Sequence, residues 1–480
     1  MKKRRPQNLC RSLQTAFFWA WMIVACFIAP PADVHAVNQE STYFVLPSYE
    51  RITLKNGLSV YLMEHHGVPL IHLSAIFQAG ASKDGGKQGL AYLTAESLFS
   101  GTGKYRKRQL EDQLEFLGAT YDAYAGLETA GIDISFMNSD PDRVFSVLKE
   151  VLRNAVFDPA EFEKRKKRLL LELVQAKEQP AGVIGAYFNK FIFGGHGYGN
   201  PVSGTPGTIK KITSQDAKAF YDAHYRPEES ALVIVGDFQA GQMKKMVQEH
   251  FESWQSKGKH RPSAKMPLHA FSRSRVLLVN KSDATETQFL IGAIGIPRNH
   301  PDFVAVHVVN TILGGRFTSW LNDALRIHAG LTYGAGSSFN TFKDSGTFAI
   351  SSFTGTENTE AAIDLALDVL LRLHIQAVDD ESLSAAKRYL IGQFPPLYET
   401  PGSLASLLAA MFIYGIDESF VNDFKTNVDS ITVEKAREVI GKHFPRVNLQ
   451  FVLIGKATAI RDRAGKYGAF FEKDIRGDGY

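Results

Sequence analysis

The chain has 480 residues and a formal net charge of +4 at pH 7. Residues 1–36 carry this whole excess, namely Lys2, Lys3, Arg4, Arg5 and Arg11 against Asp33. The rest of the chain is therefore near neutral, which argues against a nucleic-acid-binding protein.

The first residues have the pattern of a secretory signal. Four basic residues precede the apolar run Ala16–Ala29, and Val34-His35-Ala36 follows as a small-residue cleavage site. We predict a signal peptide over residues 1–36 and a secreted protein, with the periplasm as the expected compartment. The run is shorter than the roughly 18 residues typical of a membrane span, so none is expected.

Both cysteines, Cys10 and Cys26, lie in this segment, so the mature protein is expected to have no disulfide and to depend on its hydrophobic core. An alternative interpretation of the segment is that Ile23-Val24-Ala25-Cys26 is a lipoprotein cleavage box, which would leave Cys26 lipidated at the new N-terminus.

The mature chain exceeds the roughly 250 to 300 residues that one hydrophobic core usually serves. It also contains an internal repeat at a constant offset of 219 residues, in which each copy predicts an amphipathic helix followed by a buried strand. The matching positions are Ile212-Thr213, Ala217, His224 and Gly236 in the first copy and Ile431-Thr432, Ala436, His443 and Gly455 in the second. Two homologous domains are the natural explanation.

We predict an N-terminal domain over residues 44–240, a helix end and linker over 241–272, a C-terminal domain over 273–460 and a tail over 461–480. Strands with apolar alternation, such as Ile71–Phe77, precede runs of consecutive helices in each half. This order favours an α+β fold, with an antiparallel sheet and packed helices in each domain.

The segment Gly89–Thr102 resembles the zinc-site helix of the pitrilysin/insulinase metallopeptidases. In that family the helix carries H-x-x-E-H, with two zinc-binding histidines and a glutamate that activates water. The matching positions here are Tyr92, Ala95 and Glu96. A phenol is no substitute for a neutral imidazole, and Ala95 has no carboxylate to accept a proton. The resemblance implies a degenerate site, with no metal in this chain.

The family's third ligand is a glutamate further along the chain, and Glu172 is the nearest match and a remnant of that position. Glu96 with Glu172 as a site for a hard cation is a weaker alternative, because two carboxylates without a further ligand are thin support. The basic run Lys164–Arg168 lies in a helical pattern, and we interpret it as a solvated helix face.

Three further segments extend the resemblance to most of residues 44–457. Arg51–Leu58 resembles the family's opening strand, Phe193–Gly199 its mid-domain loop, and Phe220–Pro227 the end of its first domain. The resemblance implies the two-domain fold of the mitochondrial-processing-peptidase-like metallohydrolases.

Residues 313–334 resemble the region that carries the family's substrate-binding arginine and tyrosine, which match Arg326 and Tyr333. The resemblance implies that Gly314 and Gly315, near the start of this region, also contribute to substrate binding. Arginine is always cationic and a tyrosine hydroxyl is a donor, so the pair can bind a peptide carbonyl and stabilise its oxyanion. The residues alone also fit an arginine favoured by a helix C-terminus and a tyrosine that packs across strands.

The resemblance implies the non-zinc-binding subunit of a heterodimeric metalloendopeptidase. A homologous partner would carry H-x-x-E-H and the zinc, and Arg326 and Tyr333 would bind the peptide substrate. The alternative is a non-catalytic scaffold or peptide-binding protein that keeps the fold. An autonomous peptidase with an unusual metal site is a third hypothesis, and the lack of a general base at Ala95 argues against it.

Overall fold

The computed structural model describes residues 43–258, 268, 270–376 and 378–480. The predicted signal peptide, Cys26 and part of the predicted linker lie outside these residues. Tyr43–Tyr480 forms one compact unit.

In the described residues, twelve strands form two six-stranded sheets. The strands are β1 (Glu50–Thr53), β2 (Ser59–Glu64), β3 (Leu70–Phe77), β4 (Thr120–Ala125), β5 (Ala130–Met137), β6 (Ser230–Gly236), β7 (Arg275–Asn280), β8 (Glu286–Gly295), β9 (Ala335–Thr341), β10 (Gly346–Gly355), β11 (Gln450–Gly455) and β12 (Ala469–Asp474).

In the described residues, the helices lie between these strands along the chain. In the first half they are α1 (Leu90–Glu96), α2 (Lys107–Phe116), α3 (Pro141–Asn154), α4 (Pro159–Ala176), α5 (Pro180–Phe193), α6 (Pro206–Ile209), α7 (Ser214–His224) and α8 (Ala240–Phe251). In the second half they are α9 (Phe303–Leu313), α10 (Trp320–Asn322), α11 (Thr359–Ile375), α12 (Asp380–Gln393), α13 (Pro401–Tyr414), α14 (Ser419–Asn422), α15 (Phe424–Asp429), α16 (Val433–His443) and α17 (Ala457–Ala464). Over the described ranges, no helix is both long and apolar enough to cross a bilayer.

The strand orders are β1-β2-β6-β3-β5-β4 and β12-β7-β11-β8-β10-β9, and five strands of each sheet share one topology. The repeat found in the sequence corresponds to α7 with β6 in the first half and to α16 with β11 in the second. The predicted α+β fold with two homologous domains is confirmed. Each sheet is mixed rather than wholly antiparallel, because β6 and β11 run parallel to β2 and β7. The long helical connections before β6 and β11 make this direction possible.

The outermost strand next to β2 or β7 differs between the halves. In the first sheet it is β1, which precedes β2 by a short turn and pairs with it antiparallel. In the second sheet it is β12, which pairs parallel with β7. Residues 461–480, set apart in the sequence as a tail, therefore include a strand of the second sheet. Residues 241–251, set apart as a helix end, lie in α8, which packs against β2 and α3 of the first half.

In each half, one helix packs on the sheet of the other half. Helix α5 belongs to the first half by sequence, yet it packs on β8 and β11 of the second sheet. Helix α13 packs on β3 and β6 of the first sheet in the same way. Their apolar side chains, among them Tyr187 and Phe188 of α5 and Leu404 of α13, are buried in these contacts. The hydrophobic core is therefore shared across the halves.

Candidate active site

Helix α1 begins at a tight junction in the first half. Gly89 precedes the helix with φ of +93°, and a Cβ on Gly89 would lie 2.9 Å from the Cα of Gly204, so the position requires glycine. The buried carboxylate of Asp84 accepts hydrogen bonds from the backbone N–H groups of Gly89 and Ala91, both at 2.7 Å. Burial raises the pKa of Asp84 to about 7, against the opposing effect of these bonds.

The three degenerate positions lie on this helix in different surroundings. Ala95 is fully buried in the core of the first half, so no polar group faces a substrate from there. The ring of Tyr92 packs against the same core. The carboxylate of Glu96 is partly exposed, with 29% of its side chain accessible.

Arg165 of α4 joins these positions to Glu172. Its Nε donates to Glu96 Oε2 at 3.0 Å, and its two Nη groups donate to the Glu172 carboxylate at 3.3 and 3.1 Å. One Nη also donates to the Tyr92 hydroxyl at 3.1 Å. Only 15% of the Arg165 side chain is exposed. The structure therefore brings the three predicted polar positions together around a guanidinium.

The negative charges of Glu96 and Glu172 favour the protonated forms of Arg165 and Tyr92. Burial lowers the pKa of Arg165, but the attraction of Glu96 and the bonds to Glu172 outweigh it and raise the pKa above its ordinary value. Burial, followed by the negative charge of Glu96, raises the pKa of the Tyr92 hydroxyl. The tyrosine is therefore neutral and the arginine charged at any physiological pH.

These residues do not fit a zinc ion. A structural or catalytic zinc site needs at least three nitrogen, sulfur or oxygen ligands free to bind the metal. Here the ligand candidates are one protonated phenol and two carboxylates, and all three bond to Arg165. A dication at this place would face the positive charge of the guanidinium. The same contacts speak against a hard cation held by Glu96 and Glu172.

The role of Arg165 differs from the one predicted from the sequence. The sequence predicts a solvated helix face for Lys164–Arg168, but only 15% and 12% of the Arg165 and Lys166 side chains are exposed. A usable signal exists, because Arg165 and Glu172 are seven residues apart and so lie on one face of a helix two turns apart.

The region of the second predicted site begins where α9 meets β9. The carbonyl of Gly314 accepts from the backbone N–H of Ser337 at 3.1 Å. A Cβ on Gly314 would lie 2.2 Å from that nitrogen, so only glycine allows this approach. The buried side chain of Asn310 bonds both to the hydroxyl and to the carbonyl of Ser337. Gly315 follows on the exposed side.

The backbone between Arg326 and β9 is held from strand β10. Thr354 donates to the carbonyl of Leu331 at 2.6 Å, and Ser352 donates to the carbonyl of Gly334 at 2.9 Å. Asn322 accepts from the N–H of Ala335 at 3.3 Å. Three side chains therefore fix the ends of the short loop that carries Tyr333.

Arg326 lies before this loop, and Tyr333 lies within it. Arg326 is on a π-helical turn, Asp323–His328, and its guanidinium stacks over the ring of Phe317 at 4.7 Å from the centroid. Tyr333 is 81% exposed and lies in the loop before β9, because the pairing of β9 with β10 begins at Ala335. The neighbouring side chains of Phe317 and Ile327 are 63% and 58% exposed.

A cavity of about 1240 Å³ opens elsewhere, beside the start of α1. Its lining includes Asp84, Lys87, His196 and Lys343, and it contains neither the Arg165 group nor Arg326 and Tyr333. Acidic and basic side chains there pair with each other, as Lys87 does with Asp216.

Two family descriptions match most of the chain between them. One, for the insulinase peptidases of family M16, matches residues 62–206, and the other, for the M16 inactive domain, matches residues 211–390. The chain belongs to peptidase family M16. The first match lies within the first homologous half, and the second begins near the end of that half and extends into the other.

Relatives and solved structures agree with this assignment. The chain is 21% identical to the uncharacterized zinc protease YmxG of Bacillus subtilis, over 74% of this chain and 86% of that protein. It is 23% identical to the uncharacterized zinc protease ML0855 of Mycobacterium leprae, over 82% and 90% of the two chains. A crystal structure of a peptidase M16 inactive domain from Pseudomonas fluorescens matches 85% of this chain and 98% of its own, with 25% identity and a TM-score of 0.80. A protease from Helicobacter pylori shares the fold, with a TM-score of 0.79 at 20% identity.

Proposed function

We propose that this M16 chain is the non-zinc-binding subunit of a heterodimeric metalloendopeptidase. A homologous partner with an H-x-x-E-H helix would supply zinc and the activated water. This chain would bind the peptide substrate and stabilise the oxyanion through Arg326 and Tyr333. The proposal includes removal of the predicted signal peptide and secretion to the periplasm, with a lipoprotein anchored through Cys26 as the alternative.

The observation that carries the proposal is the contrast between the two candidate sites. The polar groups at the degenerate α1 position all bond to Arg165, whose positive charge opposes a metal ion there. The Tyr333 hydroxyl lies on an exposed loop whose backbone is held from β10. Oxyanion stabilisation requires a donor that is positioned before substrate arrives, and the held backbone restricts where the hydroxyl can lie.

The expected contribution of this chain is electrostatic. Arg326 supplies a permanent positive charge and Tyr333 a neutral hydroxyl donor, and both favour the negative oxygen that develops when water attacks a peptide carbonyl. The contact of Arg326 with Phe317 restricts the guanidinium without consuming its donors in a salt bridge.

Turnover by the reconstituted pair tests the proposal. We would purify this chain with the H-x-x-E-H relative from the same genome and measure hydrolysis of a quenched fluorescent peptide. Tyr333→Phe and Arg326→Gln should each lower kcat by about 10²-fold, the scale for removal of one oxyanion donor. Tyr389→Phe, at a partly exposed tyrosine of α12, and Arg372→Gln, at another arginine stacked on an aromatic ring, are the matched controls.

The second candidate is a non-catalytic scaffold or peptide-binding protein. The apolar side chains exposed around the pair, Phe317 and Ile327, favour it because they offer a contact surface without chemistry. Peptide hydrolysis that is unchanged by both Tyr333→Phe and Arg326→Gln, with the complex intact on size-exclusion chromatography, would reject the catalytic role and favour the scaffold.

A further inference from the structure

A second group of metal-type ligands lies in the other half of the molecule. His300, Asp302 and His443 can each offer one ligand atom, and these atoms lie within 4.8 Å of one another. In the part of the chain that the structure describes, this is the one group of at least three such residues that meets this distance.

The three residues meet where two helices pack. Asp302 immediately precedes α9, His443 is the last residue of α16, and His300 lies in the turn that leads into α9. That turn is closed by two backbone bonds, from His300 to Pro297 and from Phe303 to His300. The backbone of all three residues is therefore held by regular structure.

Two of the ligands are already in contact. His443 Nε2 lies 2.8 Å from Asp302 Oδ2, and their side chains are only 13% and 12% exposed. The ring of His300 stands nearly perpendicular to that of His443, at 4.9 Å between centroids. Ligand atoms in a tetrahedral zinc site with bonds of about 2.0 to 2.1 Å lie roughly 3.3 Å apart. Because the three ligand atoms now lie within 4.8 Å of one another, metal binding requires the His300 ring to move closer to the other two ligands.

The surroundings of Asp302 fit a ligand role for one of its oxygens. Lys435 Nζ binds Oδ1 at 2.7 Å, which orients the carboxylate and leaves Oδ2 on the histidine side. The positive charge of Lys435 opposes a nearby dication, so the affinity should be moderate. The backbone N–H of Asp302 donates to His300 Nδ1 at 3.0 Å, and metal binding breaks this bond. Either Nδ1 binds the metal itself, or Nε2 binds it and the ring proton moves to Nδ1, which then no longer accepts.

We propose that His300, Asp302 and His443 form a three-ligand site for a divalent transition metal such as Zn²⁺, with a fourth position open to water. Two imidazoles and one carboxylate are the ligand types that suit zinc. The bound ion would clamp the start of α9 to the end of α16. The site is independent of the proposed function, since neither Arg326 nor Tyr333 belongs to it.

Zinc titration of the tag-free mature chain by isothermal calorimetry, after removal of metal, tests the site. We expect about one Zn²⁺ per chain, with at least about tenfold weaker binding in His300→Gln and in His443→Gln, since each variant removes one of three ligands. His250→Gln is the matched control, because His250 pairs with Asp142 at 2.9 Å and is similarly buried, but lies in no such group. Cobalt substitution gives a second readout through the visible bands of a tetrahedral site.

The outcomes separate this site from the degenerate α1 position. Zinc binding that is absent, or unchanged in both His300→Gln and His443→Gln, would overturn the proposed site. Zinc binding that is lost only in Glu96→Gln or Glu172→Gln would do so too, and would also place a metal at α1. Peptide hydrolysis by the reconstituted pair tests the proposed function separately, and loss of the His300 site leaves that test intact.

Discussion

Arg165 in the first half and Arg326 in the second differ in what surrounds them. Arg165 donates to two carboxylates and a phenol, and only 15% of its side chain is exposed. Arg326 stacks on the partly exposed ring of Phe317, and the exposed Tyr333 follows it in the next loop. The first arrangement satisfies its charge inside the protein, whereas the second leaves a cation and a hydroxyl for an external group.

This difference indicates how a chain can lose a metal site and still keep its fold. Glu96 and Glu172 would repel each other if no cation lay between them, and Arg165 supplies that cation. The guanidinium therefore does for the helices α1 and α4 what a bound ion does in a structural metal site, namely hold acidic groups from two elements together.

The largest expected effect is on zinc affinity, when the two histidine ligands of the motif are restored with and without Arg165. In a His443→Gln background, Tyr92→His with Glu96→His should bind zinc weakly while Arg165 remains. Adding Arg165→Ala should tighten binding by at least about 100-fold, because a unit charge at about 4 Å costs on the order of 4 kcal/mol at an effective dielectric constant of 20. Calorimetry with zinc measures both. Equal affinities would show that Arg165 does not occupy the metal position.

The next effect concerns the stability of the wild-type site. Arg165→Ala should lower the free energy of unfolding by about 2 to 3 kcal/mol, because it leaves two partly buried carboxylates unpaired. Arg326→Ala should lower it by less than about 1 kcal/mol, because this half-buried side chain stacks on a single exposed ring. Urea denaturation followed by circular dichroism compares the two. Similar losses for both variants would contradict the contrast between the halves.

The close approach of α9 to β9 can be tested in the second half. Gly314→Ala places a methyl group 2.2 Å from the Ser337 nitrogen, and a backbone atom cannot move aside. We expect a loss of about 2 kcal/mol and reduced peptide hydrolysis by the pair, since the loop would shift. Gly182→Ala, in α5 with no heavy atom within 4 Å of the new methyl group, serves as the control and should be neutral or stabilising. Normal stability of Gly314→Ala would disprove the tight contact.

The pH dependence of α1 should also be measurable. The pKa of Asp84 is raised by burial from its ordinary 3.8 to about 7, so the folded protein binds more protons than the unfolded chain between these values. Stability therefore falls as the pH rises through this window, by at most about 1.4 kcal/mol per pH unit from this group. Asp84→Asn stays neutral and should remove this slope, as thermal or urea denaturation at several pH values would show. An unchanged slope would argue against the raised pKa.

The smallest expected effect on stability is that of Tyr333→Phe. The hydroxyl is exposed, so its loss should change the free energy of unfolding by less than about 0.5 kcal/mol. The same variant is expected to lower turnover by the pair strongly, and the two measurements together separate a functional from a structural tyrosine. A large loss of stability would indicate a packing role instead.

The repeat in the sequence predicted much of the fold. Periodicity identified the buried strands of the two halves and the helices before them, as found in β6 and β11. It could not predict the exchange of α5 and α13, because an apolar helix face shows that it will be buried but not against which sheet. The parallel direction of β6 and β11 follows from long connections that a pattern along the chain does not reveal.

The candidate sites were predictable to different degrees. The motif positions at Tyr92, Ala95 and Glu96 showed that the zinc-binding histidines and the catalytic glutamate are missing. The sequence could not show which residue of the basic run Lys164–Arg168 pairs with Glu96, because all five are cationic. The group of His300, Asp302 and His443 spans more than 140 residues of the chain, so only the packing of α9 on α16 brings it together.

The exchanged helices have a consequence for any attempt to divide this protein. A cut between α8 and β7 would produce two fragments, each still holding the apolar helix that covers the other's sheet. Each fragment expressed alone would expose one apolar face of its sheet to water and should aggregate. When mixed, the two fragments should associate, because each contains the helix that covers the exposed sheet face of the other.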